Sequence, residues 1–330
     1  MKTSEQETYT PSDSKFLPDG REALGYDEAR AELDAFVANP GLDELASLFG
    51  VEELPDDPRE RLHKLEELAA AHWDFRKGAE RQATDWNDEL LDQEGSEQWE
   101  AVFSGADKLG LVESSTAKNK HPQTLMFYGA ANRAPFDRLR YGLEQVEDFG
   151  QLVYLGCSRP VSDGEREEAK DYAPDAQTEF DLGWGALETL LDAKMTDEVS
   201  WERDGDTWGM RLYEFEKDGE TKHAFALSTP QYIGEERANT YDNLRFFADR
   251  AELAEDPDHT IVAVTNAFYT GGQGLPGVQE LTLPFGTEIE TIGFDAAYGG
   301  KVRKPSQLLQ ETKAAVDAAV RLEAALDQAA

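Results

Sequence analysis

Along the first third of the chain, apolar residues recur at helical spacing. Leu33, Phe36 and Val37 make one stripe, and Leu42, Leu45, Leu48 and Phe49 make a second, with Pro40-Gly41 between them. Pro58 opens a longer segment carrying Leu62, Leu65, Leu68, Ala69, His72 and Trp73 on one side. Trp99, Val102, Phe103, Ala106 and Leu109 continue the pattern, which stops at Gly110. Proline in a first turn and glycine past a last turn are where helices start and end. The pattern predicts a helical N-terminal region over residues 21–120, behind a polar, loosely ordered arm at residues 1–20. Glu113 to Gln123 has no apolar period and reads as a linker.

Past the linker the period changes. Thr124–Gly129 and Gln151–Gly156 are short apolar runs that end in glycine, and helical patterns follow each of them. Residues 178–194 read as a helix, as does the segment after Asn239 with Leu244, Phe246, Phe247 and Ala248. Thr260–Thr265 and Glu288–Gly293 read as strands, and a long terminal helix starts near Ser306. Strands alternating with helices predict an α/β fold with a mostly parallel, Rossmann-like sheet and helices on both faces, over residues 121–330. At about 199–229, Asp-Gly pairs at 204–205 and 218–219 separate alternating runs, the pattern of a β-meander inserted into that domain. Its last strand, His223–Leu227, also suits the main sheet.

In such sheets ligands bind beyond the carboxyl ends of the strands. That rule gathers Gly129–Arg133, Gly156–Arg159, Ser228–Asn239 and Thr265–Tyr269. Gly129 lets the backbone approach a ligand, while Asn132 and Arg133 offer an amide and a guanidinium for a phosphate or carboxylate. An ordinary strand-to-helix turn explains them equally well. Gly156, Ser158 and Arg159 form a second small-residue turn, and Cys157 within it lacks a nearby histidine to activate it. Glu179 stands at a helix start where the helix dipole alone would favour it. The densest group is Glu235, Arg237, Asn239, Thr240 and Asn243 around the start of the helix, where Asn239 or Thr240 can act as the cap. Thr265, Asn266 and Tyr269 end the strand that follows. Together Arg133, Arg159 and Arg237 would make a local anion site, with Glu235 and Glu179 as candidate bases. Gly271-Gly-Gln-Gly274 is flexible enough for a lid. The Gly129–Arg133 loop fits neither a G-x-G-x-x-G fingerprint nor a Walker loop, so nicotinamide and ATPase chemistry lose their usual support there.

Composition narrows the partners. Sixty-eight acidic against 32 basic residues give a net charge of −36, which repels nucleic acid and anionic membranes alike. The acids are dispersed, which predicts a surface of the halophilic type, adapted to concentrated salt. One cysteine, Cys157, leaves no internal disulfide, and His63, His72, His121, His223 and His259 are scattered without ligand spacing, so no metal site is expected. The apolar runs are far short of a membrane span and no signal segment is evident, which makes a cytoplasmic location the expectation.

These segments resemble the family of unknown function typified by the bacterial SanA and YdcF envelope-associated proteins. The matching residues are Tyr128-Gly129, Leu155-Gly156, Thr178-Glu179, Glu235 with Arg237–Asn243, and Val264–Tyr269. A closer likeness is to uncharacterised soluble bacterial proteins that share a motif like His72–Lys77, a segment like Leu283–Gly293, and one like Leu308–Glu311. The resemblance covers about residues 60–325. It implies a Rossmann-like domain with a small-molecule site, and S-adenosylmethionine as one ligand. The chain departs from the family in having Tyr269 in place of a histidine and Asp242 in place of a glutamate. Two functions stay open: an enzyme acting on a nucleotide-like or phosphorylated molecule, or a non-catalytic nucleotide or S-adenosylmethionine binder that senses or scaffolds.

Overall fold

The computed structural model describes residues 23–77, 91, 93–203, 206–229, 238–253, 256, 258–299 and 303–330. Its elements are α1 (Tyr26–Val37), α2 (Pro40–Ser47), α3 (Pro58–His72), α4 (Glu97–Lys108), β1 (Thr124–Tyr128), α5 (Ala134–Gln145), β2 (Gln151–Cys157) and α6 (Asp163–Ala169). They continue with α7 (Glu179–Leu191), β3 (Lys194–Arg203), β4 (Asp206–Lys217), β5 (Glu220–Thr229), α8 (Thr240–Ala251), β6 (Thr260–Asn266), α9 (Thr270–Gly277), the single turn α10 (Leu283–Phe285), β7 (Glu288–Phe294) and α11 (Pro305–Ala329). The chain forms two compact units. One gathers 116–265 and 280–292, the other 26–115, 266–279 and 293–330, so the division does not fall at a single linker.

The first unit is built on a seven-stranded sheet in the order β3-β4-β5-β2-β1-β6-β7. β5, β2, β1 and β6 run parallel, whereas β4 is antiparallel to both β3 and β5. The period-two alternation of β1 and β2 divides the core. Met126, Tyr128, Val153 and Leu155 pack with Leu244, Phe246, Phe247 and Ala248 of α8. On the opposite face, Gly142 of α5 abuts Leu125 and Val264, and Gly183 of α7 abuts the Tyr154 ring. Both faces are therefore covered, which is why these strands read as continuous apolar runs.

The meander is not a separate insertion. Its three strands extend the sheet at one edge, and β5 pairs in parallel with β2 along its length, from Gln151 opposite His223 to Cys157 opposite Thr229. Asp218 and Gly219, at φ 54° and 83°, make the tight turn between β4 and β5. The first Asp-Gly pair, at 204–205, and the arm at 1–20 lie outside the described residues.

The second unit is helical. Asn39 caps α2, Asp57 caps α3 and Ser96 caps α4, each through its side-chain oxygen. α11 runs through this unit and buries Leu308, Leu309, Thr312, Val316, Ala319 and Leu322 against α1, α3, α4 and α9. Gly271-Gly-Gln-Gly274 is not a lid. It is the first half of α9, and a Cβ on Gly271 would come within 2.8 Å of the Ala315 Cβ. Its glycines let two helices pack closely.

Candidate functional site

Parallel register brings the carboxyl ends of four strands of the first unit to one edge. Tyr128 lies opposite Leu155, Gly156 opposite Ser228, and Phe127 opposite Val264. The edge therefore carries Gly129–Arg133, Cys157–Arg159, Thr229 and Thr265.

At the end of β1 the backbone is clamped. The Gly129 N–H donates to the Leu155 carbonyl at 2.5 Å, and Arg138 Nη1 donates to the Tyr128 and Gly129 carbonyls at 2.9 and 2.8 Å. Arg138 is 1% exposed, although it stands in the apolar stripe of α5, three residues before Tyr141. Asn132 takes a left-handed φ of 59°, which asparagine tolerates, and its carbonyl accepts from the Tyr172 hydroxyl at 2.5 Å. Arg133 is the N-cap residue of α5, and its own side chain makes no capping hydrogen bond. Its Nε lies 3.4 Å from Asp137, its guanidinium carbon lies 4.5 Å from the centre of the Phe136 ring, and 41% of its side chain is exposed. Burial pushes the Asp137 carboxyl above its ordinary range, and Arg133 and Arg140 pull it partly back.

At the end of β2, Ser158 is exposed and Cys157 is buried. Arg159 sits between two carboxylates, 3.1 Å from Glu165 and 3.2 Å from Glu179. Burial works against the charge on Glu165, but the Arg159 guanidinium and the Ser162 N–H hold its carboxyl below the usual range. A Cβ on Gly129 would collide with Glu179 Oε1, so this position must be glycine for the carboxylate to lie on the loop. Glu179 is thus oriented by Arg159 and placed against the β1–α5 junction.

Helix capping accounts for much of the remainder. Thr178 and Asp181 close a capping box at α7, and Asp181 also accepts from Trp184 Nε1 at 2.9 Å. Asn239 Oδ1 accepts from the Tyr241 and Asp242 N–H groups at 2.9 and 3.2 Å, while Asp242 answers on the Asn239 N–H. Thr240 is then the first helical residue. Asn243 Oδ1 and Thr229 Oγ1 are buried without a hydrogen-bond partner among the described residues. Thr265 is wholly buried at the end of β6. Glu235 and Arg237 lie outside the described residues.

Asn266 and Tyr269 belong to the second unit. There Asn266 borders a cavity of ≈ 430 Å³ together with Phe268, Phe294 and Arg303. The Tyr269 ring lies 3.9 Å from that of Phe268.

Sequence reasoning missed Arg138 and Glu165 at the site, and a polar relay at the opposite edge of the sheet. His259 Nε2 lies 2.8 Å from Thr124 Oγ1, and its Nδ1 lies 3.0 Å from Asp256. That order matches a hydrolytic triad. However, Thr124 has no exposed surface and its hydroxyl also accepts from Gln151 Nε2 at 2.9 Å, so the relay fastens β1 to its neighbours. Among the described residues no group of three or more His, Cys, Asp or Glu is placed to hold a metal ion. None of the described helices is long and apolar enough to cross a membrane.

Residues 21–110 match the family described as the Rv3785 N-terminal domain. Uncharacterized protein Rv3785 of Mycobacterium tuberculosis (strain H37Rv) is 26% identical over 317 residues, covering 87% of each chain. Uncharacterized protein Mb3814 of Mycobacterium bovis matches with the same identity and coverage. No solved structure matches the chain.

Proposed function

We propose that the chain binds a small anionic, nucleotide-like molecule at the carboxyl edge of its parallel strands. The anionic group would rest on Gly129–Arg133 and the first turn of α5. The observation that carries this reading is the junction itself: β1 leads into a helix whose N-cap residue is a half-exposed arginine, Arg133, which makes no side-chain cap of its own. The dipole of such a terminus favours negative charge, although the Ala134 N–H already donates to the Ala131 carbonyl at 3.3 Å and Pro135 has no N–H. The strand order supports the same place. From β1 the order runs outward through β2 and β5 on one side and β6 and β7 on the other, as in a doubly wound, Rossmann-like sheet, which binds ligands where the order reverses. Arg237, two residues before the α8 cap, would add a second cation. The SanA and YdcF likeness makes S-adenosylmethionine one candidate ligand.

Catalysis is a second reading, favoured by the placement of Glu179. A general base must be oriented and within reach of the reacting atom, and Arg159 supplies the orientation. A sensor or scaffold would need only the clamp. Thermal shift in molar KCl with AMP, S-adenosylmethionine and glucose 6-phosphate tests the binding. A ligand that stabilises the wild type should lose most of its effect on Arg133→Ala. If neither AMP nor glucose 6-phosphate shifts the wild type, the anion reading fails, since S-adenosylmethionine is a net cation that could meet Arg133 only through its carboxylate. For an anion that binds, conversion that stops in Glu179→Gln while binding persists would assign the enzyme. Binding with no conversion would assign the sensor.

A further inference from the structure

The other face of the sheet carries two unsatisfied polar groups at the same edge. Phe225 and Leu227 of β5 pack with Leu244, Phe246 and Phe247 of α8. Strand side chains alternate, so Thr229, the last residue of β5, continues that face. On α8, Asn243 stands three and four residues before Phe246 and Phe247, one turn nearer the helix start on the same stripe. Strand end and helix start therefore bring Thr229 and Asn243 to one end of the packing between α8 and the sheet, above the apolar Met210, Leu227 and Leu244. Thr229 is 2% exposed, and its Oγ1 and the Asn243 Oδ1 are buried without a hydrogen-bond partner among the described residues. Leaving such atoms unpaired is costly, and neither closes the helix, since Asn239 and Asp242 already form the capping box of α8.

An amide oxygen that accepts and a hydroxyl that donates suit an edge with one donor beside one acceptor. An amino group next to a ring nitrogen presents that edge on a nucleobase. β2 separates β5 from β1, so the end of β5 and the Gly129–Arg133 junction are two strand spacings apart, about 10 Å. From a 5′-phosphate at the junction, that span exceeds the reach of the sugar hydroxyls and suits the amino group of the base. Gly142 of α5 abuts Leu125 and Val264 on one face of the sheet, and α8 covers the other. A molecule joining the two places crosses the tip of β2, the crossing that doubly wound sheets favour.

We propose that Thr229 and Asn243 select the ligand of this edge by reading the amino group of its nucleobase. Asn243 Oδ1 accepts from the amino group, and the Thr229 hydroxyl donates to the ring nitrogen beside it. This subsite rests on the anion reading, which supplies the phosphate end, and it makes the ligand an amino-bearing nucleotide.

The test is calorimetric titration of the full chain in molar KCl with AMP, with IMP, in which a carbonyl replaces the amino group, and with inorganic phosphate. AMP should bind about tenfold or more tighter than IMP, the scale of a hydrogen bond whose loss leaves its partner buried and unpaired. Asn243→Ala should bring AMP down to the level of IMP and leave inorganic phosphate unchanged. Thr229→Val should weaken AMP as well, yet raise the thermal midpoint of the free protein, because it removes an unpaired hydroxyl at nearly the same shape. If Asn243→Ala does not fold by circular dichroism, the wild-type ratio and Thr229→Val decide. Equal binding of AMP and IMP, both weakened by Arg133→Ala, would overturn the base subsite and leave the anion site standing. No binding of AMP, IMP or phosphate would overturn both. A preference for AMP that survives both variants, or a lowered midpoint in Thr229→Val, would show that these two side chains serve the fold and would overturn the proposal.

Discussion

Arg76 and Glu311 stand 235 residues apart in the chain and form an ion pair at 2.9 Å within the helical unit. Beside them, Gln310 Oε1 accepts from the Phe75 and Arg76 N–H groups at 2.9 and 3.0 Å. The segment after α3 is thereby fastened to the first turns of α11 by backbone and side chain together. The two motifs at His72–Lys77 and Leu308–Glu311 are in this respect one structural feature.

Removing one partner should cost more than removing both. The Glu311 side chain is 6% exposed and that of Arg76 is 32%, so Arg76→Met takes a cation away from a nearly buried carboxylate. We expect a loss of about 1–3 kcal/mol in urea unfolding, below the full buried-pair figure because solvent screens the arginine. Arg76→Met with Glu311→Met should recover much of it. A double variant no better than the single one would show that the pair carries no coupling.

Close helix–strand packing gives a sharper contrast between two glycines. A Cβ on Gly183 of α7 would land in the buried Tyr154 ring, whereas one on Gly164 of α6 meets nothing within 4 Å. Gly183→Ala should destabilise by about 1–3 kcal/mol or more, the usual cost of overpacking. Gly164→Ala should be neutral or stabilise by up to about 1 kcal/mol through helix propensity. Equal thermal midpoints for the two variants would contradict the packing of α7 on β2.

Element types were legible because the signals were local. The stripes of α1–α4, the strand runs ending at Gly129 and Gly156, the helix start at Pro58 and the cap at Asn239 are each written within a few residues. What was not legible depended on distant partners. The flexibility suggested by Gly271–Gly274 gives way to helix packing because Ala315 approaches it. The last strand of the meander, which the sequence also allowed in the main sheet, pairs with β2, and β4 and β3 extend the sheet beyond it. At the site, Arg133 and Arg159 read as free cations, but the carboxylates beside them, Asp137 and Glu165, come from helices that the sequence placed without their rotation. Arg138 could have been found, since an arginine in an apolar helical stripe needs buried partners.

The acid range should expose the Arg159 cluster. Glu165 has a folded-state pKa below its ordinary value, near 4.3 when unfolded. Its contribution is therefore present above that unfolded value and is lost as pH falls through the folded one. Asp137, raised by burial, has the opposite sign: its penalty holds at higher pH and disappears on acidification below its unfolded value. Urea midpoints followed from neutral pH down through the carboxylate range should fall more steeply for the wild type than for Arg159→Met. Parallel slopes would mean that Arg159 does not stabilise ionised Glu165.

A net charge of −36 spread over the surface should make stability depend on salt. Screening shortens the Debye length from about 10 Å at 0.1 M to about 3 Å at 1 M. The thermal midpoint should therefore climb as KCl is raised over that range. A midpoint that stays flat or drops would mean that self-repulsion is not a significant part of the balance.

The most direct test of the central claim is calorimetric titration of AMP and inorganic phosphate into the wild type and Arg133→Ala in molar KCl. The start of α5 and the half-exposed Arg133 predict measurable binding to the wild type. Arg133→Ala should weaken it by about 1.5–3 kcal/mol, the scale of a hydrogen bond to a charged group, and should also lower the thermal midpoint of the free protein modestly, because buried Asp137 loses one of its two cations. Equal affinity in both proteins, or no heat from either ligand with the wild type, would contradict an anion site at the end of β1.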